Sequence, residues 1–298
     1  MDKDMASIII LTKNGEKTIG KCLKGIFSQK TTRSFEVIVI DSGSTDRTQQ
    51  IVKNYPVKVI TIPPERFSHS RTRNFGAYLA KGNFLVYITQ DAQPSSRKWL
   101  ETLIKHFQDP EVIAVFGRQI PRKNCHPSEK RALLRRYPKK FAVYREKDIC
   151  PFSDVNSTIR KDIWEKYPYN VEVSIAEDLE WANATLRHLT GKIIIYDPKA
   201  AVYHSHNYEF RELLVKMLRV GGHQRLIFQV KLTPKKFITS LLSAIKFWMV
   251  DVFEDILFTV EERNTKWLFV IPLYSFIKTF GKLLGIYLTS FTSPKSWR

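Results

Sequence analysis

The first third of the sequence alternates between short apolar runs and segments with helical periodicity. The runs are rich in β-branched residues and comprise Ser7–Leu11, Phe35–Ile40, Val57–Ile62 and Phe84–Ile88. Continuous apolar runs of this length are typical of strands that are buried on both faces of a parallel sheet. Strands that alternate with helices of about 10 to 15 residues indicate βαβ units. We therefore expect an α/β fold with a mostly parallel central sheet flanked by helices.

The segments between these runs carry apolar residues at helical spacing. They are Ile19–Phe27, Ile51–Tyr55, Ser68–Ala80 and Trp99–Phe107. Apolar residues at positions i, i+3, i+4 and i+7 form one face of a helix, which can pack on a sheet. We expect Ser44 or Thr45 to cap the second helix, because short hydroxyl side chains accept hydrogen bonds from the first free backbone N–H groups.

The pattern is less regular from residue 111 to about residue 208. We expect a strand over 112–121, a basic segment up to 147, a polar loop at 153–158, helices over 160–166 and 176–191, and a strand at 193–196 followed by 202–206. The basic segment contains aromatic residues. It is either a solvated helix face or a loop that meets an anionic acceptor or a lipid.

Long helical patterns replace the strands after residue 208, where we place a domain boundary. They cover 210–220, 237–258 and 267–291. Basic amphipathic helices with aromatic residues at their edges are typical of a membrane interface, so we expect residues 237–298 to associate with a membrane surface. The alternative is a helical region that packs on the sheet or on a second copy of the chain. No charge-free apolar stretch reaches about 18 residues, which argues against a spanning helix.

The chain is strongly basic, with a net charge of +19 and a pI of about 9.8. Such a charge favours nucleic acid, an anionic membrane surface or a phosphorylated substrate as partner. Helix-turn-helix, zinc-finger and RNA-recognition patterns are not evident, so we expect no nucleic acid partner. The three scattered cysteines (Cys22, Cys125 and Cys150) fit a reducing compartment, and no signal peptide is evident. We therefore expect a cytoplasmic location.

The segment Thr89–Pro94 directly follows the fourth apolar run and contains Asp91. Open α/β sheets bind their ligands at the carboxyl ends of the strands. Carboxylate oxygens are ligands that magnesium and manganese prefer. We therefore expect Asp91 to hold a divalent metal on a nucleotide diphosphate. The alternative is an aspartate that only ends the strand in a turn.

Several motifs occur in the order found in family-2 glycosyltransferases, and the sequence resembles that family over residues 5–210. The motifs are Ser7–Asn14, Val39–Asp46, Ser70–Gly76, the segment around Asp91, and Glu177–Asp178. A finer resemblance is to the bacterial rhamnosyltransferases of this family, and it rests on Thr89–Pro94, Phe116–Pro121, Asp154–Ser157, Glu177–Ala182 and Tyr203–Asn207. The resemblance implies the GT-A fold in residues 1–208, with a nucleotide-binding half in 1–110 and an acceptor-binding half in 111–208.

The resemblance also implies a site for a nucleotide-sugar donor. The implied donor- or nucleotide-binding residues are Thr12, Asn14, Asp41, Arg73, Asn74, Gln90 and Asp91. Family members usually carry an Asp-x-Asp motif near Asp91. In both possible alignments of that motif, this chain has only one of the two acidic residues, and that residue is Asp91. Two alternatives stay open: Asp41 serves only its turn, and Arg73 is a charge on a helix surface.

The catalytic base implied by the resemblance is Asp178, the second residue of the Glu-Asp pair. The implied acceptor or sugar pocket contains Asp154, Asn156, Glu177 and Trp181. The metal, Mn2+ or Mg2+, is assigned to Asp91 and His204, and His206 competes with His204 for this role. The alternatives are acidic residues that only favour the positive end of a helix, and structural histidines.

Arg219 and Arg225 lie on either side of Gly221 and Gly222. From their charge and the glycine content, we expect a loop that closes over the diphosphate.

The sequence thus predicts a metal-dependent inverting glycosyltransferase on the inner face of the cell membrane, and a homo-oligomer is compatible with it. The expected donor is dTDP-rhamnose, and the expected acceptor is a saccharide or lipid-linked saccharide of a surface polysaccharide. A UDP-hexose donor is the alternative. An alternative of another class is a basic nucleic-acid- or membrane-binding protein without catalysis.

Overall fold

The structure, a computed structural model, describes residues 5–173, 176–227 and 234–289, without the side chains of 223–227 and 234–235. Contacts divide these residues into two compact units. The first contains residues 5–120, 136–173 and 177–204, and the second contains 121–135, 176, 205–227 and 234–289. The division into domains at residue 208 stays a prediction.

The first unit is built on one sheet. Its strands within the described residues are β1 (Ala6–Thr12), β2 (Phe35–Asp41), β3 (Lys58–Thr61), β4 (Phe84–Ile88), β5 (Gln93–Pro94), β6 (Val112–Ile120), β7 (Ala142–Tyr144), β8 (Asn156–Arg160) and β9 (Ile193–Tyr203). Their order is β3-β2-β1-β4-β8-β6-β9-β5, and β7 pairs with β9. Strand β1 runs parallel to β2 and β4, and β2 runs parallel to β3. The parallel arrangement predicted for the first strands is therefore confirmed.

Beyond β4 the sheet is mixed. Strand β8 is antiparallel to both of its neighbours, β4 and β6, whereas β6 and β9 are parallel. Strands β5 and β7 are each antiparallel to β9. The description "mostly parallel" thus fits the first four strands and not the sheet as a whole.

Strand β8 corrects one prediction, because its first residues belong to the segment 153–158 that we expected to be a polar loop. Asn156 is fully buried, and its amide accepts a hydrogen bond from Trp99 Nε1 at 2.7 Å and donates one to the Ala200 carbonyl at 2.7 Å. Ser157, also buried, donates to Asp154 at 2.6 Å. Buried polar groups are tolerated when they are hydrogen-bonded, so a polar composition can hide a central strand.

The helices of the first unit flank this sheet. They are α1 (Ile19–Phe27), α2 (Thr48–Val52), α3 (His69–Leu79), α4 (Trp99–Ile104), α6 (Lys161–Lys166) and α7 (Glu177–His188). The apolar faces of α1 and α4 belong to the main hydrophobic core with the inner residues of β1, β2 and β4. The predicted cap of α2 was wrong: the Asp46 carboxylate accepts the Thr48 N–H at 2.9 Å, whereas Ser44 bonds to Asp41 and Asn14.

The second unit is helical. It contains residues 127–135 of α5 (Pro127–Arg136), together with α8 (Phe210–Ile227), α9 (Pro234–Glu261) and α10 (Ile271–Leu288). Helices α8 and α10 cross closely, since a Cβ added at Gly221 would lie 2.0 Å from the Lys282 carbonyl oxygen. The three predicted long helices are confirmed, and the predicted end at Phe291 lies outside the described residues.

The helical conformation corrects the loop expected around Arg219 and Arg225. Both residues belong to α8. Gly221 allows α8 to pack closely on α10, so its presence reflects a helix contact and not a loop. The Arg225 side chain lies outside the described residues, and Arg219 is exposed. None of the described helices is long and apolar enough to cross a membrane.

The first testable prediction concerns Gly117 in β6. A Cβ at this position would lie 1.7 Å from the Ala200 carbonyl oxygen and 2.3 Å from Asn156 Nδ2. Gly117→Ala should therefore lower the free energy of unfolding by about 3 kcal/mol or more, because backbone must move. Gly20→Ala in α1 is the control, where the added methyl meets only Ile51 at 3.4 Å. Alanine favours a helix interior, so this control should lose nothing and can gain up to about 1 kcal/mol in urea denaturation.

Candidate active site

The loops that follow β1 and β4 are joined by the side chain of Gln90. Its Oε1 accepts hydrogen bonds from Thr12 Oγ1 and from the Lys13 N–H, the latter at 3.2 Å. Its Nε2 donates to the Lys13 carbonyl at 3.2 Å. Gln90 and Thr12, both predicted to bind the donor, therefore lie together at the carboxyl edge of the parallel strands, where α/β sheets bind ligands.

The loop that follows β2 joins the same edge through Asn14 and Asp41. Asn14 accepts the Thr45 N–H at 2.9 Å and donates its own N–H to Ser44 Oγ at 2.9 Å. Its φ of +47° is left-handed, a conformation that asparagine tolerates better than most residues. Asp41 is buried and accepts from the N–H and the hydroxyl of Ser44. Asp41 thus stabilises its turn, and its predicted contact with the nucleotide stays a prediction.

Arg73 lies on α3 and is buried between two carboxylates. Its Nε is 3.1 Å from Asp154 Oδ2, and its Nη1 bonds to Glu177 Oε1. The alternative of a charge on the helix surface is excluded, because only 6% of Arg73 is exposed. A buried arginine fits this position, since its planar fork can bond to two carboxylates at once.

Asp154 is held by neutral donors as well as by Arg73. Tyr169 Oη and Ser157 Oγ each donate to its carboxylate at 2.6 Å. Burial raises the pKa of Asp154 to about 6, although Arg73 acts to lower it. The carboxylate is therefore still ionised at neutral pH, where it pairs with the guanidinium. Tyr169 was not predicted, and the only sequence signal was an aromatic residue close before the Glu-Asp pair.

Asp178, the expected base, is partly exposed, unlike Asp154 and Glu177. It stands in the first turn of α7, where its Oδ2 accepts the Asp154 N–H at 3.1 Å and its Oδ1 accepts the Leu179 N–H at 2.8 Å. Glu177, the preceding residue, is buried and pairs with Arg73. The Glu-Asp pair therefore presents one carboxylate to solvent and uses the other to anchor the helix.

Three other predicted site residues have their polar groups engaged within the protein. Asn74 accepts from Trp164 Nε1 at 2.8 Å and from the Tyr169 N–H at 3.0 Å. Trp181 is buried, with its indole N–H donated to the Tyr167 carbonyl at 2.6 Å. Asn156 is in the core, as described above. The polar groups of these side chains are thus used within the protein, and their contact with donor or acceptor stays a prediction.

The expected metal ligands Asp91 and His204 face each other. Asp91 Oδ2 lies 3.5 Å from His204 Nε2, with side-chain exposures of 23% and 7%. On the far side of the ring, His204 Nδ1 lies 2.9 Å from Gln119 Oε1. An amide oxygen can only accept, so Nδ1 carries the proton and the lone pair of Nε2 is directed to the Asp91 side. Gln119 was not predicted as a site residue, although it stands in the motif Phe116–Pro121.

These donors fit a divalent cation. A separation of 3.5 Å is long for a hydrogen bond. When two atoms each bind one ion at about 2.1 Å and the angle at the ion is a right angle or slightly wider, the two atoms are about 3.0 to 3.5 Å apart. An imidazole nitrogen whose other N–H is held by an oxygen is the common arrangement of a metal-binding histidine. Among the described residues, Asp91 and His204 belong to a group of acidic and imidazole side chains close enough to share an ion.

Comparison with known proteins identifies the family. The family model of glycosyl transferase family 2 matches residues 7–167, more than half of the chain. This chain belongs to glycosyl transferase family 2. The predicted family is therefore confirmed, and the enzyme class is glycosyltransferase.

Two bacterial relatives of this glycosyltransferase carry the finer resemblance. The chain is 32% identical over 204 residues to the O-antigen chain rhamnosyltransferase WbaN of Salmonella anatum, across 65% of this chain and 64% of that protein. It is 31% identical over 225 residues to the O-antigen chain rhamnosyltransferase RfbN of Salmonella typhimurium, across 72% of this chain and 71% of that protein. The match thus spans just under two thirds of WbaN. The predicted resemblance to bacterial rhamnosyltransferases is confirmed.

Solved structures of glycosyltransferases confirm the predicted GT-A fold. The mannosyltransferase PcManGT from Pyrobaculum calidifontis, in complex with GDP-Man and Mn2+, superposes with a TM-score of 0.62 at 18% identity, over 96% of this chain and 86% of that one. TarS 1-349 of S. aureus, in complex with UDP-GlcNAc, gives a TM-score of 0.53 at 17% identity, over 96% and 90%. At these identities the likeness is one of fold alone.

The second prediction tests the Arg73 cluster of this glycosyltransferase. Arg73→Met leaves Asp154 and Glu177 without their cation, so the free energy of unfolding should fall by about 3 to 5 kcal/mol in urea at pH 8. The loss should be smaller at pH 5, because unpaired buried carboxylates have raised pKa values and the folded state gains stability when they are protonated.

Arg71→Met is the matched control for this measurement. Arg71 lies on the same helix and is exposed. Its replacement should change the free energy of unfolding by less than about 0.5 kcal/mol at both pH values. Equal effects of the two substitutions would mean that the Arg73 ion pairs contribute nothing specific.

Proposed function

We propose that this family-2 glycosyltransferase is a metal-dependent inverting rhamnosyltransferase. In this proposal it moves L-rhamnose from dTDP-rhamnose to a saccharide or lipid-linked saccharide acceptor of a surface polysaccharide. The observation that carries it is the pair Asp91 and His204, oriented by Gln119 at the carboxyl edge of the sheet. The names of the two Salmonella relatives, O-antigen chain rhamnosyltransferases, support rhamnose as the sugar and a polysaccharide as the product.

Asp91 and His204 would hold the metal, as Mn2+ or Mg2+, with His206 two residues further along the chain as the alternative histidine. A divalent cation bound there would offset the negative charge that develops on the departing nucleotide diphosphate. Thr12, Asn14, Asp41 and Gln90 would surround the nucleotide. The hydrogen bonds between their three loops support this assignment, because they hold the loops in fixed positions before the donor binds.

Asp178 would act as general base on the acceptor hydroxyl. A hydroxyl is a poor nucleophile at neutral pH, so a positioned carboxylate that takes its proton accelerates the attack. A single base and an attack opposite to the departing diphosphate give inversion at the anomeric carbon. The partial exposure of Asp178 supports this role, since Asp154 and Glu177 are buried and paired with Arg73.

A UDP-hexose is the second candidate for the donor. It is favoured by the shared fold with TarS, whose structure contains UDP-GlcNAc. The choice depends on contacts to the base and the sugar. A screen of dTDP-rhamnose, UDP-glucose and UDP-galactose by thermal shift with manganese separates the two, because a ligand that binds only the folded state raises its stability.

We further propose that the second unit places the enzyme on the inner face of the cell membrane. Helix α9 exposes apolar side chains along one side for six turns, namely Ile238, Leu242, Ile245, Met249, Phe253 and Val260. Phe269, in the segment after α9, is 94% exposed. An apolar stripe of this length marks a surface for a membrane or for another protein. A second copy of the chain is the competing partner.

The third prediction tests the base. Asp178→Asn should lower the rate of rhamnose transfer by about two to four orders of magnitude, because the amide cannot take a proton. Binding of dTDP with manganese, measured by thermal shift, should be unchanged. The control is Glu180→Gln, which also removes a carboxylate from the start of α7. Full activity of Asp178→Asn would contradict the assignment.

The fourth prediction concerns metal affinity, measured by calorimetry with and without dTDP. One carboxylate and one imidazole make an incomplete shell, so Mn2+ should bind weakly alone and much more tightly with the diphosphate. His204→Ala should weaken binding at least about tenfold, and Gln119→Ala by about tenfold, since outer hydrogen bonds orient the ligand. His188→Ala, an exposed histidine on α7, is the control. Equal affinity with and without dTDP would contradict the shared shell.

A further inference from the structure

The second unit contains a solvent-open cavity whose lining includes four cations. Its volume is about 280 Å³, and its charged lining consists of Lys123, Lys130, Glu262, Arg263 and Lys266. Lys123 comes from the segment before α5, and Lys130 comes from α5 itself. The other three follow the end of α9. All of these residues belong to the second unit. Two separate segments of the chain therefore bring four positive charges to one cavity against one negative charge.

The single carboxylate in the lining is already paired. Glu262 bonds to Lys130, whose ammonium also lies 5.8 Å from the centre of the Phe258 ring. Within residues 5–173, 176–227 and 234–289, no carboxylate lies within 4.0 Å of the charged nitrogens of Lys123, Arg263 or Lys266. Three uncompensated cations around one cavity repel one another, so an anion between them would be bound favourably.

Arg263 also has an unusual backbone. Its φ is +53°, and it follows the last turn of α9, where the Asn264 N–H donates to the Thr259 carbonyl at 3.1 Å and the Arg263 N–H donates to the Val260 carbonyl at 3.0 Å. This is the Schellman ending of a helix, and its left-handed position is usually occupied by glycine. Here a strained arginine stands at the cavity instead.

Stabilisation of the helix dipole explains only part of this arrangement. Cations near the C-terminal end of α9 are favourable for the helix, which accounts for Arg263 and Lys266. It does not account for Lys123 and Lys130, which belong to the start of α5 and the segment before it. There the positive end of a helix dipole adds to the positive charge, so the lysines are unfavourable for α5 on its own.

We propose that this cavity is a binding site for a phosphate group. Lysine and arginine form strong, charge-assisted hydrogen bonds with phosphate oxygens, and the amides of Asn124 and Asn264, also in the lining, supply further donors. A volume of about 280 Å³ is at or below the low end of small-molecule sites, so it suits a phosphate or diphosphate group. The phosphate is either that of a soluble anion or that of an anionic lipid headgroup. The exposed apolar stripe of α9 gives the second source a route to the cavity.

A lysine-labelling experiment on the full chain locates the site. The protein is acetylated with and without sodium pyrophosphate, in EDTA so that no divalent metal is present, and the modified lysines are quantified by mass spectrometry. Lys123 and Lys266 should be protected at least about threefold, because a bound anion holds the ammonium groups charged. Lys53 in the first unit is exposed and should show no protection.

Substitutions then separate binding from folding. Arg263→Gly removes a cation and also places the favoured residue at a left-handed position, so its melting temperature should be equal to or higher than that of the unmodified chain. Pyrophosphate affinity, measured by calorimetry in EDTA, should nevertheless fall about tenfold, as should that of Lys123→Ala. Lys53→Ala should leave the affinity unchanged.

Vesicles identify the source of the phosphate. Binding is compared for vesicles of phosphatidylcholine alone and of phosphatidylcholine with phosphatidylglycerol, with Lys246→Ala on the exposed face of α9 as the control for general attraction. Protection and affinity loss with pyrophosphate, without a change in phosphatidylglycerol-dependent binding, indicate a soluble anion. If Lys123→Ala and Arg263→Gly lose more phosphatidylglycerol-dependent binding than Lys246→Ala does, the phosphate is that of a lipid headgroup. If Lys123 and Lys266 behave like the control lysines in both experiments, the proposal is overturned. Sugar transfer is not measured in either one, so the result is independent of the proposed activity.

Discussion

The buried contact of Arg73 with Asp154 and Glu177 is the interaction on which the rest of the active-site half depends. It joins α3, the segment before β8 and the start of α7, which are far apart in the sequence. Three charges in a place with little water are stable only when each has a partner of the right geometry. Because Glu177 is fixed by Arg73, the first turn of α7 is fixed, and with it the direction in which Asp178 leaves the helix.

The same residue types therefore do two different kinds of work in this site. Asp154 and Asp178 are both aspartates, and the Asp154 N–H donates to the Asp178 carboxylate at 3.1 Å. Asp154 is buried and saturated by a guanidinium and two hydroxyls, whereas Asp178 keeps part of its surface in solvent. Only burial and partners distinguish a carboxylate that is enclosed in the fold from one that reaches solvent. Neither can be read from the sequence.

The accuracy of each sequence prediction likewise depends on how the residues concerned are buried and what they bond to. Periodicity located β1, β2 and β4, as well as α1 and α3, because these elements are held by apolar burial, which leaves a regular pattern. It missed β8, whose buried residues are polar and satisfied by Trp99, Asp154 and the Ala200 carbonyl. It also mistook Gly221 for a sign of a flexible loop, since a glycine required for helix contact looks the same in sequence.

The candidate metal site shows which residues a motif comparison can find and which it cannot. The motif left Asp91 as the remaining acid, and in the structure the hydroxyl oxygen of Thr89 is buried and has no partner among the described residues. Thr89 therefore offers no exposed oxygen in place of the missing carboxylate. What the motif could not show is Gln119, a neutral side chain from β6 whose amide oxygen decides which nitrogen of His204 carries the proton. A shell with one acid depends more on its histidine than a shell with two does. In the proposed shell, an amide that was not among the predicted site residues therefore orients the histidine ligand.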